Sequence, residues 1–532
     1  MADKNNPEDY ISIQDGTDTP LIPKCEADMN LIILIGLLHW RLGMKRHEIR
    51  GFLEAKGIFL STGTISNRSL DFLLLFKQFH INNSPKIKSF IERKGCMILH
   101  MDGTHRSGGR VVFVLQEGID NIVINADLIT SEAEENVDPI LLDFKNSYGS
   151  PLVVVRDMAK GIKLSVDKNF PNAAQQVCQI HFLSDLEKDL ITEYHKKLKN
   201  SIVKHKLTSK LKSLRYENIG SGDSLIKKIQ DRWIHIAVDH LLHPIEKHVK
   251  WIRHPISYFI QYRRIKIVGD LVKRLVQCDA SNNFVHKPLM ELHESLKTVL
   301  EDTKVLEYFS ILEKILQWLD ELRDNLRITR RNNLKDSKPI DFELDTVLIK
   351  IKEVLIKIRA ESWKLEKQYQ RIASMLIDAF ESHWEELFVP DPIVNGRKIS
   401  FRRHNNGLES SHRKIRKGIR ERTGKSETNS EMEQFGDLLA ILSNLWNETY
   451  QKEILQDVVD IGRSLSPFVK DLPRLRQEYR ETRRGAAIPI DDEERLNILE
   501  NFIEIFENNE LDSVLISSLQ SILELEGCPE IV

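Results

Sequence analysis

The sequence predicts an α+β fold, mostly helical and with one compact strand-rich block, and three observations predict it. Three short β-branched runs lie close together between Cys96 and Ala126. A fourth apolar run, Leu152 to Arg156, follows a helical stretch and reads as a buried strand. From about Leu183 to Phe388 the chain is rich in Leu, Lys, Glu and Ile, poor in Gly, and its apolar residues recur at helical spacing.

Residues Met1 to about Pro23 are polar and lack apolar periodicity, which predicts a disordered arm. Between Leu31 and His80 the pattern is helical, broken by turn signals at Leu42-Gly43-Met44 and Lys56-Gly57-Ile58. Ser61-Thr62-Gly63-Thr64 then offers N-caps to a helix from Ile65 to Phe79, so a short helix, a tight turn and a capped helix suggest a helix-turn-helix. Its second helix carries Arg68, Lys77, Ser66, Asn67 and Ser69 as the residues able to touch DNA. The runs Cys96 to Met101, Arg110 to Leu115 and Asn121 to Ala126, separated by Gly-containing turns, predict an antiparallel meander. A helix from Ala133 to Lys145, the strand Leu152 to Arg156, another helix and the run Gln176 to Gln179 follow. That order, three meander strands and then helix, strand, helix, strand, is the one expected of an RNase H-like domain. The long helical stretch is read as an all-α insertion into that domain. A polar break from Pro390 to Arg397 ends it, and helices resume from Glu431. The expected division is a disordered arm (1–25), a helix-turn-helix domain (26–90), the first part of the core (91–195), the insertion (196–390), the rest of the core (391–450) and an acidic helical region (451–532).

At 532 residues the chain is long enough for several cores, and 41% hydrophobic with 29% charged residues is an ordinary globular balance. Cys25, Cys96, Cys178, Cys278 and Cys528 are scattered without paired spacing, which fits a reducing, intracellular compartment. The apolar stretch Met29 to Trp40 is interrupted by Asn30, Gly36 and His39, too short and mixed for a membrane span, and nothing in it reads as a signal peptide. No P-loop, Gly-x-Gly-x-x-Gly or His-Glu-x-x-His pattern occurs, which argues against nucleotide-binding and zinc-dependent enzymes. Net charge is only -2, yet Arg397 to Lys425 holds eleven Lys or Arg against Glu409 and Glu421, and Asp491 onward holds twelve acids against Arg495. The basic segment is where a polyanion would sit.

Asp102 directly follows the first predicted strand and Asp157 the fourth, and adjacent strand ends can bring two carboxylates together. Glu409 falls in the first turn of a helix entering after Gly407, with Arg413, Arg416 and Arg420 on the same face as phosphate contacts. Three carboxylates are the hard oxygen ligands that two divalent metal ions require in phosphoryl transfer between DNA strands. An isolated strand-end Asp is more often turn chemistry, and a basic helix more often a solvated face, so the combination carries the reading. Cys178 and His181 form a Cys-x-x-His pair, half of a zinc site, but no second pair lies nearby.

The motifs Leu99-His100-Met101-Asp102-Gly103-Thr104, Val154-Val155-Arg156-Asp157-Met158, Cys178-Gln179-Ile180-His181 and Asn405-Asn406-Gly407-Leu408-Glu409, followed by Arg413 to Gly424, occur in that order. In this the chain resembles bacterial insertion-sequence transposases of the DDE type related to the Mutator-like group. The resemblance implies an RNase H-like core with a helical insertion between the second Asp and the Glu. It further implies Asp102, Asp157 and Glu409 as catalytic residues binding two Mg²⁺ or Mn²⁺ ions, with Cys178 and His181 close to them without ligating metal. DNA contacts are expected from Arg402, Arg403, Arg413, Arg416, Lys417, Arg420, Arg422 and Arg68. The expected partners are transposon terminal repeats, target DNA and further copies of the chain, in a prokaryotic cytoplasm at the nucleoid. In the expected reaction water releases a 3′-hydroxyl at the transposon end and that hydroxyl attacks target DNA. Two other classes use the same features: a structure-selective RNase H-like nuclease, separated by the absence of strand joining, and a DNA-binding regulator derived from a transposase, against which the intact acids speak.

Overall fold

The computed structural model describes residues 29–104, 110–216, 225–243, 256–281, 287–326, 344–455 and 461–484. The predicted arm, the acidic stretch from Asp491, Cys25 and Cys528 lie outside them. The fold is mixed α+β, mostly helical, with a five-stranded mixed sheet in the order β3-β2-β1-β4-β5.

The amino-terminal helices are α1 (Met29–Gly36), α2 (Arg46–Ala55), α3 (Thr62–Asn82) and α4 (Ser84–Lys94). Gly57, at φ 78°, turns the chain between α2 and α3. Ser61 caps α3 as expected, its Oγ accepting from the Thr64 amide at 3.0 Å. Ile35, Leu38, Ile49, Leu53 and Ile65 form the core that joins the first three of these helices. The strands β1 (Ile98–Thr104), β2 (Val111–Glu117) and β3 (Ile122–Ile129) are an antiparallel meander. Then come α5 (Glu134–Tyr148), β4 (Val153–Arg156), α6 (Lys160–Asn169) and β5 (Ala174–Val177), with β4 and β5 parallel. The element order is the predicted one, but β1 runs beyond Met101 to Thr104, so Asp102 lies within the strand, opposite Val114.

Helices α7 (Gln179–Val203), α8 (Leu207–Tyr216), α9 (Leu225–Leu242), α10 (Ser257–Ser281), α11 (Lys287–Leu300), α12 (Thr303–Asn325), α13 (Leu344–Ser362), α14 (Lys367–Ser382) and α15 (Trp384–Leu387) follow, with no strand among the described residues of that stretch. A two-stranded hairpin, β6 (Ile393–Val394) and β7 (Arg397–Lys398), occupies the predicted polar break. The chain ends, as far as it is described, with α16 (Asn406–Thr423), α17 (Asn429–Leu442), α18 (Glu448–Tyr450), α19 (Ile461–Leu465) and α20 (Leu472–Arg484).

The chain forms two compact units. The first comprises 1–151, 159–171 and 407–532; the second comprises 152–158 and 172–406. In the first, α3 is bound to the late helices through buried ion pairs. Asp71, 0% exposed, receives Arg476 at 2.6 and 2.7 Å and Arg68 at 2.8 Å. Asp437 on α17 pairs with Lys77 at 3.2 Å and with Arg483. The second unit is built on a long apolar core that runs from Val177 to Phe388 and includes Tyr262, Phe309 and Trp318. Gln176, buried in β5, donates to the Leu387 carbonyl at 2.8 Å and accepts from the Val389 amide at 3.2 Å, which fixes the strand to the end of α15. No helix among the described residues is long and apolar enough to cross a membrane.

Candidate active site

In the first unit, Asp102 is 3% exposed on β1. The neighbouring residue is a glycine: a Cβ on Gly103 would lie 2.0 Å from a carboxylate oxygen of Glu132, so the glycine leaves room for the Glu132 side chain against the strand. Glu132 was not expected from the sequence, because it lies in a polar loop with no periodicity to mark it.

Glu409 lies in the first turn of α16, as predicted. Leu408, His412 and Ile419 bury one face of the helix, Arg413, Lys414, Lys417 and Arg420 are exposed on the other, and Glu409 is half-buried at the boundary. Arg416 binds this helix to β1. Its guanidinium donates to Thr104 Oγ1 at 3.1 Å, two residues beyond Asp102, and to Thr428 Oγ1 at 3.2 Å. His412 is one turn beyond Glu409, 5% exposed, and neither ring nitrogen has a hydrogen-bond partner among the described residues. Burial, helped by the Arg416 cation and opposed by Glu409, pushes its pKa down to about 4, so the ring is neutral at pH 7.

In the second unit, Asp157 directly follows β4, as predicted. Arg156, 1% exposed, donates to the Asp157 carbonyl at 2.8 Å, to Gln175 at 2.8 Å and to Glu386 at 3.0 Å, and so fixes the backbone that carries the acid. Cys178 is buried after β5, and its Sγ accepts from the Asn405 amide at 3.2 Å. His181 occupies the first turn of α7, one turn before Asp185. Burial raises the Asp185 pKa, His181 lowers it, and Asp157 adds a smaller upward push, so this second overlooked acid shares the electrostatic field of Asp157. The i,i+4 spacing of His181 and Asp185 was the signal for it.

The predicted DNA-contacting cations differ in what already holds them. Arg68 is paired with Asp71, and Arg403 donates to the Val389 carbonyl at 2.8 Å and to Asp391 at 2.7 Å. Arg402 is exposed. Arg413, Lys417 and Arg420 are also exposed, Lys417 lying 3.5 Å from Glu421 and Arg420 donating to the Ser426 carbonyl at 3.3 Å. Arg422 is half-buried over the Trp40 ring, 4.6 Å from its centroid. Among the described residues, no three or more His, Cys, Asp or Glu side chains are already grouped so as to hold a metal ion.

Residues 114–239 match the family described as Transposase, Mutator family. The match supports a Mutator-like transposase. Asp157, Cys178 and His181 lie within the Mutator-like stretch, whereas Asp102 and Glu409 lie on either side of it. No curated protein matches the chain. A role in transposition, and with it an association with DNA, is what the Mutator-family match supports.

Proposed function

We propose that the chain is a DDE-type enzyme that cleaves DNA at transposon ends and joins the freed strand to target DNA, with Asp102, Asp157 and Glu409 as its catalytic acids in an RNase H-like core. The observation that carries this reading is the link from Arg416 to Thr104, which holds the Glu409 helix on the strand that bears Asp102. The Mutator-family match around Asp157 and the anchoring of that residue by Arg156 support the third member. The element order from β1 to β5 supports the RNase H-like assignment.

Three carboxylates are a donor set suited to Mg²⁺ or Mn²⁺ rather than to softer metals. The thiol of Cys178 accepts the Asn405 amide, which does not favour zinc there. Asp102, Asp157 and Glu409 would hold two such ions, which when bound activate an attacking oxygen and stabilise a leaving one. The protein's own groups orient the DNA. Arg413, Lys417 and Arg420 on the exposed face of α16 hold backbone phosphates beside Glu409. The two-helix arrangement of α2 and α3 would serve recognition of the terminal repeats, in an assembly of more than one copy.

The test is cleavage and joining of DNA carrying the ends that flank the gene, with Mg²⁺ or Mn²⁺. Wild type is compared with Asp102→Ala, Asp157→Ala and Glu409→Ala, each checked for folding and DNA binding. Wild type should perform both steps, and each variant should bind DNA yet lose at least roughly 10³-fold in rate. A variant that keeps its activity removes that acid from the assignment. Cutting without joining indicates a nuclease, and binding without cutting a regulator.

A further inference from the structure

The first unit contains a cavity of about 460 Å³ that the catalytic reading does not use. It is lined by His39 and Trp40 after α1, by the first residues of α2, by the middle of α3, by the end of α16 and by side chains of α17 and α20. Its volume is within the range that takes a small organic ligand. The question is what chemistry it accepts.

Charge gives the first part of the answer. Lys45, Arg46, Arg422 and Lys425 line the cavity; Lys425 is paired at 3.1 Å with Glu431, the one acid in the lining, which leaves three cations in excess. Lys45 and Arg46 stand at the start of α2, a ten-residue helix, so the positive end of its dipole adds to the field. Arg422 carries most weight. It forms no ion pair with a carboxylate among the described residues, and its charge rests on the face of Trp40 at 4.6 Å. Burial pushes its pKa down to about 10, and Glu421 and Glu431 oppose that only by longer-range attraction. A desolvated guanidinium without a carboxylate retains planar N–H donors for a phosphate. His39 reports the same field: burial, with Arg422 and Arg46 adding, holds its ring near pKa 4 and neutral.

The rest of the lining gives the second part. Trp40, Phe435 and Tyr479 are aromatic, and Trp40 is fixed by donating from Nε1 to the Ser69 carbonyl at 2.8 Å, with Phe435 5.2 Å from its ring. Ser66 and Asn67 of α3 add groups that can both donate and accept. Cations beside aromatic rings and amide or hydroxyl groups match a nucleotide, with phosphate, base face and base edge each provided for.

We propose that this cavity receives one unpaired nucleotide of the DNA strand on which the enzyme acts. The proposal rests on the transposase reading and adds a substrate position to it. Arg422 is thirteen residues beyond Glu409 on one helix, a rise of about 20 Å. On B-form DNA that corresponds to about six nucleotides from the phosphate held near Glu409. Taking a base out of the stack at that distance would fix the register of the DNA relative to the catalytic acids, with stacking and phosphate contacts in the cavity offsetting the lost base stacking.

The test uses the full-length chain and end-bearing duplexes in which 5-iodouracil replaces one base at a time along each strand. After irradiation, the cross-linked peptide is identified by mass spectrometry. The expected result is a cross-link to Trp40, Phe435 or Tyr479 from one position, about six nucleotides from the cleavage site. Arg46→Glu with Asn67→Ala, both exposed positions in the lining, should lower that cross-link at least about tenfold with the thermal unfolding midpoint unchanged. Cross-links that reach only the exposed face of α16, or a signal that survives the double substitution, overturn the proposal. Competition by free dAMP as strong as that by DNA overturns the assignment to a strand. The binding arm needs no cleavage, so a cross-link to the cavity from one position in a chain that never cuts refutes the catalytic reading alone. Cutting and joining without that cross-link refutes the cavity alone.

Discussion

Three of the four histidines buried in the described part of the first unit, His39, His80 and His412, have lowered pKa values and shape its response to acid. His80, 2% exposed, lies 2.9 Å through Nε2 from the Ile124 carbonyl and 3.0 Å through Nδ1 from the Tyr450 hydroxyl, so a neutral ring donates to the first and accepts from the second. Burial pushes the pKa of His80, like those of His39 and His412, down to about 4. With folded values below the ordinary 6.5, the unfolded chain binds more protons between pH 6.5 and 4. Stability is therefore full above 6.5 and falls with pH toward 4, by about 1.4 kcal/mol per pH unit for each ring. Urea unfolding from pH 7 to 4 should show this loss, and His412→Leu should remove about a third of it without lowering stability at pH 7, because its ring makes no hydrogen bond to lose. A large loss at pH 7 would mean that the ring has a partner. Arg156→Met should destabilise the second unit by roughly 3 kcal/mol, read by chemical denaturation, since Glu386 loses its cation and the Asp157 carbonyl its donor. At this scale the positions of Asp157 after β4 and of Glu409 in the first turn of α16 were legible, whereas Asp102, expected to follow the first strand, lies within it. Which cations were already engaged was legible only for Arg68, whose partner Asp71 lies three residues on in the same helix; Arg403 and Arg416 bond to residues that only the fold brings near.

Two glycines within helices make opposite predictions. A Cβ on Gly161 in α6 would lie 2.2 Å from the Glu132 carbonyl oxygen, a backbone atom that cannot swing aside. Gly161→Ala should therefore separate α6 from the start of α5 and cost roughly 1–3 kcal/mol. Gly51 in α2 has nothing within 4 Å of the added atom, so Gly51→Ala should stabilise by about 0.5–1 kcal/mol through helix propensity. Thermal unfolding of the two variants checks both signs. The elements themselves were largely readable, since strand composition, helical spacing and the Ser61 cap are local signals. The end of β1 was not, because Asp102, Gly103 and Thr104 are drawn into the strand by pairing with Val114, Phe113 and Val112. The β6–β7 hairpin had a local signal that was overlooked: Asn395-Gly396 takes φ of 50° and 75°, the two-residue turn that this pair favours.

For the whole molecule, a net charge of -2 says little about DNA affinity, because the exposed cations of α16 lie on one face. Changing Arg413, Lys417 and Arg420 to Gln should flatten the slope of log affinity against log salt by about one unit per charge, measured by fluorescence anisotropy on end-bearing duplex. An unchanged slope would mean that the phosphates lie elsewhere. The long helical insertion was legible from composition. The membership of 152–158 in the second unit was not, since it depends on contacts rather than on any change in residue type.

The ion pairs that close the first unit also impose an order on synthesis. Asp71 and Arg476 are 405 residues apart, and Lys77 and Asp437 are 360 apart. At about 5–20 residues per second, a ribosome needs on the order of 20–80 s between making one side of these contacts and the other. Throughout that interval the amino-terminal helices lack the late cations and apolar faces they are shaped to meet, and the second unit can fold in the meantime. A message cut short anywhere before α17 yields a first unit without either late partner, so the ion pairs that hold α3 in place form only after Asp437 and Arg476 have been made.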